Sequence, residues 1–87
     1  MHTVYVLKSL KDDDLYIGCT SDLEKRLLEH SRGKVQSTKN RRPFKVIFKE
    51  EYSDKYQAFN QEKYYKTAKG KRELKKKIDY CGVVPRP

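Results

Sequence analysis

The residues of this sequence best suited to chemistry are Tyr5, Tyr16, Arg26, His30 and Glu62. Hydrolysis of a phosphodiester takes an activated water, charge stabilisation on the non-bridging oxygens, and protonation or metal coordination of the leaving oxygen. Glu62 is suited to one magnesium or manganese ion that keeps most of its waters. A guanidinium such as Arg26 matches phosphate geometry and stays charged at any relevant pH. The tyrosines are harder to employ, because a free phenol has a pKa of about 10; lowering it to about 7 takes roughly 4 kcal/mol, which Arg26 and a metal could supply. No tight Asp/Glu cluster of two-metal type is present, since Asp12-Asp13-Asp14 reads as a solvent-facing turn. Each residue alone has a plainer use. The tyrosines suit half-buried strand positions, Arg26 a surface pair with Asp22 or Glu29, His30 the end of a helix, and Glu62 an i,i+4 pair with Lys66.

Positioning these groups requires a sheet with helices on it. Thr3 to Leu7 and Leu15 to Cys19 are β-branched and aromatic runs separated by a polar stretch, which predicts a hairpin. Alternation puts Tyr5 on a face with Thr3 and Leu7, and an antiparallel register could bring Tyr16 close to it. Ser21 followed by Glu24 predicts a capping box opening a short helix that ends near Arg32-Gly33. On that helix Asp22, Arg26 and His30 recur every four residues, beside an apolar stripe of Leu23 and Leu27. Phe44 to Lys49 predicts a third strand. A longer helix is expected from Ser53 or Asp54 to about Gly70, with Glu62 on its inner side, and a basic last helix from Lys71 to about Ile78. The expected class is α+β: a small three-stranded antiparallel sheet flanked by helices, in the order β-β-α-β-α-α.

Eighty-seven residues support one domain, assigned to 1–80, with an irregular tail at 81–87. The content is 36% hydrophobic and 38% charged, which implies a thin core. Net charge is +9 and comes in blocks. Residues 31–49 carry seven basic and no acidic groups, and residues 60–87 carry nine basic and three acidic. With no apolar face to accompany the lysines, this balance favours nucleic acid over membrane. Cys19 and Cys81 have no metal-ligand spacing and read as free thiols. No leader or apolar span is evident, so a cytoplasmic protein, monomeric or weakly dimeric, is the expectation.

A longer series carries more information than any one residue. Val4-Tyr5 and Tyr16-Ile17-Gly18-Cys19-Thr20 lead through Asp22-Leu23 to Arg26 and His30, then Arg42-Pro43, Glu50-Glu51 and Ala58 before Glu62-Lys63. This series resembles the GIY-YIG nuclease superfamily, in particular its small stand-alone bacterial branch, similar to the N-terminal domain of excision-repair nucleases. The first tripeptide, Thr3-Val4-Tyr5, lacks the family's glycine. The resemblance implies a metal-dependent endonuclease, structure-selective in repair or recombination, with one Mg2+ or Mn2+ ion on Glu62. It assigns water activation to Tyr5, orientation of water or phosphate to Tyr16, and charge stabilisation to Arg26. His30 would assist proton transfer or contact phosphate. Lys34, Lys39, Arg41, Arg42, Lys45, Lys63, Lys66 and Lys69 are the expected phosphate contacts, giving salt-sensitive affinity without sequence information. The alternative is a nucleic-acid-binding module that keeps this fold without turnover.

Overall fold

The apolar run after Met1 becomes the centre of the sheet. In a computed structural model that describes residues 1–36 and 38–83, β1 (His2–Ser9) lies between β2 (Leu15–Thr20) and β3 (Phe44–Tyr52), antiparallel to both. The helices are α1 (Leu23–Ser31), α2 (Lys55–Tyr65) and α3 (Ala68–Val83), with a single 3-10 turn at Lys39–Arg41 before β3. The class is therefore α+β in the expected order β-β-α-β-α-α.

Tyr5 pairs with Gly18 and Leu7 with Tyr16, so these four share one face of the sheet, while Val4, Val6, Ile17 and Cys19 occupy the other. Both faces of β1 are covered. Val4, Val6 and Ile17 pack with Ala58 and Tyr65 of α2 and Leu74 of α3 to form the main core. On the opposite face α1 and the loop that follows it close over Tyr5 and Leu7, each only 1% exposed. A bulge between Val6 and Leu7 in the pairing with β3 shifts the register by one residue.

Several boundaries differ from expectation, each for a local reason. Asp22, not Ser21, caps α1: its Oδ1 accepts from the Lys25 amide at 3.2 Å, while its own amide donates to Thr20 Oγ1. Aspartate caps as well as serine does and adds a charge that suits the helix N-terminus. The long helix expected up to Gly70 breaks at Lys66-Thr67. There Thr67 Oγ1 accepts from the Gly70 amide at 3.0 Å and caps α3. Gly70 is thus an early residue of α3 and not a stop. A Cβ on it would sit 1.7 Å from the Tyr64 carbonyl oxygen, so glycine lets the two helices cross in contact. The last helix continues through Val83, which takes residues 81–83 out of the expected irregular tail; residues 84–87 lie outside those described. Among the described residues, no helix is long and apolar enough to cross a membrane.

A half-buried polar network ties the helices to β3. Glu50 Oε1 accepts from Tyr65 at 2.7 Å and Tyr52 at 2.9 Å, and Glu50 Oε2 accepts from Lys77 at 3.1 Å. Burial raises the Glu50 pKa, but the bonds from Tyr65, Tyr52 and Lys77 outweigh it and leave the carboxyl below the usual carboxylate range. A group whose folded pKa is depressed stabilises the fold above its unfolded pKa and loses that contribution as pH falls through the folded value. Urea midpoints should therefore fall on acidification below the ordinary glutamate range. In Glu50→Gln that component of the acid slope should be missing.

Candidate active site

Three elements bring their polar side chains together on the Tyr5 face. The β1–β2 register sets the rings of Tyr5 and Tyr16 with centroids 6.3 Å apart. Gly18 makes this possible, because a Cβ there would fall 2.5 Å from both Cζ and Oη of Tyr5. The glycine is the space into which the phenol tip fits. From α1, Arg26 and His30 project one turn apart toward the same place. The His30 ring lies 5.0 Å from that of Tyr16, 5.9 Å from Tyr5 and 6.2 Å from Phe44, and it is 1% exposed.

A hydrogen-bonded chain runs through the buried part. Tyr5 Oη lies 2.9 Å from His30 Nε2, and His30 Nδ1 lies 2.8 Å from Thr38 Oγ1. The Thr38 hydroxyl donates to the Val35 carbonyl at 3.4 Å. Arg26 stands beside the phenols with Nη1 donating to Glu29 Oε1 at 3.1 Å. Contact with the Tyr5 hydroxyl, followed by Glu29 and Tyr16, outweighs partial burial and holds Arg26 firmly charged.

The electrostatics set the starting point for Tyr5. Burial pushes the Tyr5 phenol up to about 12; Arg26 pulls it down, but not enough, and the neighbouring Tyr16 and Glu62 add to the rise. The resting site thus holds a neutral phenol. Bringing it from about 12 to about 7 would take roughly 7 kcal/mol at 1.36 per unit, well above the figure for a free phenol. Burial followed by the Arg26 charge depresses the His30 imidazole against the opposing Glu29, so His30 is neutral around pH 7.

Glu62 enters from α2. It is near enough for its charge to raise the pKa of both Tyr5 and Cys19, in each case after burial. Its side chain is 22% exposed, and Oε2 accepts from Lys66 at 3.1 Å. A shallow depression lined by Thr20, Asp22, Lys25, Arg26 and Glu29 extends to Cys19, the thiol on which the Glu62 charge acts. Among the described residues, no three His, Cys, Asp or Glu gather into a metal cage. A single accessible carboxylate of this kind fits a largely hydrated magnesium or manganese ion that completes its shell with water and substrate oxygens.

The basic residues divide into two groups. Lys34, Lys39, Lys45, Lys63 and Lys69 are exposed on the loop after α1, on β3, on α2 and at the start of α3. Three others have intramolecular partners. Arg41 approaches Asp12 at 3.9 Å and Asp14 at 3.6 Å, pinning the acidic turn to the loop. Lys66 holds Glu62. Arg42 donates from Nε to the Lys39 carbonyl at 2.9 Å and from Nη1 to the Ser31 carbonyl at 3.3 Å.

Sequence reasoning missed Thr38, which lies in a loop eight residues beyond His30 with no periodicity to mark it. It also missed that Gly18 is the space for the Tyr5 hydroxyl, although the pairing of Tyr5 with Gly18 is the kind of register a hairpin could produce.

Comparison with known proteins identifies the family. Residues 1–79 match the model of the GIY-YIG catalytic domain. The UPF0213 protein YazA of Bacillus subtilis is 44% identical over 75 residues, covering 84% of this chain and 75% of that protein. A UPF0213 protein of Staphylococcus saprophyticus is 36% identical over 75 residues, covering 85% and 90%. The solution NMR structure of the UPF0213 protein BH0048 from Bacillus halodurans superposes with a TM-score of 0.52 at 32% identity, covering 84% of this chain and 80% of that one. The chain therefore belongs to the GIY-YIG catalytic-domain family, a family of endonucleases, and is similar to its small UPF0213 members.

Proposed function

We propose that this chain is a metal-dependent endonuclease that hydrolyses phosphodiesters of nucleic acid, DNA ahead of RNA, in repair or recombination. The observation that carries this reading is the meeting of Tyr5, Tyr16, Arg26 and His30 on one face, with Glu62 at the margin.

A phosphate entering the depression beside Arg26 competes with Glu29 for the guanidinium. The pair it displaces is about one-third exposed on each side, so it is worth no more than about 1 kcal/mol. A doubly charged phosphate-like transition state is the stronger partner, and Arg26 stabilises it. Tyr16, half-exposed next to Tyr5, orients the phosphate or the attacking water. Because the Tyr5 phenol is neutral at rest, it does not wait as a phenolate. It takes the water's proton while passing its own to Nε2 of neutral His30, 2.9 Å away. Glu62 would hold the divalent ion, which supplies charge neutralisation at the phosphate and the leaving oxygen. The exposed Lys34, Lys39, Lys45, Lys63 and Lys69 track the backbone and add salt-dependent affinity.

One observation favours the alternative of a binding module without turnover: a Tyr5 that is 1% exposed with its phenol held up at about 12. Incubation of supercoiled plasmid and branched DNA with magnesium or manganese separates the two. The nuclease reading expects nicking by wild type and none by Glu62→Ala, with DNA retention unchanged between them. Salt-sensitive binding with no cleavage across linear, branched and single-stranded substrates would establish the module instead.

A further inference from the structure

The two ring nitrogens of His30 each have one partner, and both partners are hydroxyls, so geometry alone permits two directions for the chain. In one, Tyr5 donates to Nε2, Nδ1–H donates to Thr38, and Thr38 donates to the Val35 carbonyl. In the other every proton runs the opposite way, from Thr38 to Nδ1 and from Nε2–H to Tyr5. The surroundings of Tyr5 decide between them. The Arg26 guanidinium, close enough to act on this hydroxyl, has donors only. If Nε2–H also donated to Tyr5, both neighbours would donate to the phenol oxygen and, among the described residues, the phenol proton would lose the nitrogen that receives it. At the far end, the Thr38 hydroxyl bond to the Val35 carbonyl is made only in the first direction, because in the second that proton is given to Nδ1.

We propose that Thr38 is a positioning residue that selects the His30 tautomer with hydrogen on Nδ1, which leaves Nε2 bare to receive the Tyr5 proton. This inference rests on the relay proposed above and extends it to a residue outside the helix that carries His30. Histidine free in water favours hydrogen on Nε2, so the buried tautomer has to be imposed by a partner on the other nitrogen.

The loop is built to hold that partner in place. Thr38 is 1% exposed, and its amide donates to the Val35 carbonyl at 3.1 Å. Arg42 then bridges the loop to the end of α1 through its bonds to the Lys39 and Ser31 carbonyls. It lies across Gly33, whose φ of +76° suits glycine and where a Cβ would be 2.9 Å from the guanidinium carbon. Arg42, read from sequence as a phosphate contact, thus braces the segment that presents Thr38.

The test reads the ring nitrogens directly. Long-range 1H–15N spectra of wild type, Thr38→Val and Thr38→Ser are recorded above the His30 titration range, with a His2→Gln control to tell the two rings apart. Wild type and Thr38→Ser should show hydrogen on Nδ1. The isosteric Thr38→Val, with a backbone amide fingerprint like that of wild type, should move it to Nε2 and lose cleavage by about a hundredfold, the scale of one proton-transfer contribution. Thr38→Ser should recover most of that loss, which a purely space-filling role would not require. Hydrogen on Nε2 in wild type, or hydrogen still on Nδ1 in Thr38→Val, overturns the inference. The tautomer readout needs no turnover: a chain that shows the switch but cleaves nothing supports the role of Thr38 and contradicts the nuclease reading.

Discussion

Replacing Arg26 by alanine should lower single-turnover cleavage by about a hundredfold to a thousandfold, the range seen when one preorganised charge or donor is removed from a developing oxyanion. Two effects combine at this side chain. Arg26 faces the entering phosphate, and it is also the group that pulls the Tyr5 phenol down against burial. Without it the phenol becomes a weaker acid and the phosphate loses its partner. Lysine should restore only a small part, because a point charge does not reproduce the planar fork. Stability is expected to change little, since the lost Glu29 pair is partly exposed on both sides. Cleavage rates and urea midpoints measured on the same preparations would separate the two; a variant that merely unfolded would lose both together.

Gly18→Ala should be nearly as damaging, although alanine is the smallest possible change. Its Cβ would overlap Cζ and Oη of Tyr5, each at 2.5 Å, and the strand pairing gives Gly18 no freedom to retreat. Tyr5 must swing away, taking its hydroxyl out of reach of His30. A displacement on the order of 1 Å at a reacting group costs about a hundredfold in rate. Because the injury acts through one hydroxyl, Tyr5→Phe combined with Gly18→Ala should be no slower than the slower single variant. Additive losses in that cycle would mean that Gly18 acts through something other than Tyr5.

Much of this site could be read before the fold was known, because its signals are local. The hairpin follows from two β-branched and aromatic runs around a polar turn, and the spacing of Arg26 and His30 by four follows from helix geometry. The fold class followed from the same patterns. What the sequence could not carry was set by contacts between distant segments. Gly70 looks like a helix stop by composition, yet it marks where α3 crosses the Tyr64 carbonyl. Arg42 looks like one more cation in a basic loop, yet two of its donors also hold backbone carbonyls, that of Ser31 at the end of α1 among them. Ser21 with Glu24 has the capping-box pattern, yet the turn at Thr20 puts Asp22 at the helix start. The resting acidity of Tyr5 was out of reach of the sequence for a related reason. Proximity to Arg26 was inferable from spacing, but the burial that outweighs it depends on α1 and its loop closing over the sheet.

The convergence of Tyr5, Arg26 and Glu62 on one ion and one phosphate is tested most directly by locating the ion. Manganese titrated into 15N-labelled protein broadens amide signals nearest to where it binds. Broadening should centre on the amides around Glu62, Cys19 and Tyr5, and it should disappear in Glu62→Gln. Broadening centred on the Asp12–Asp14 turn and unaffected by Glu62→Gln would contradict the site described here.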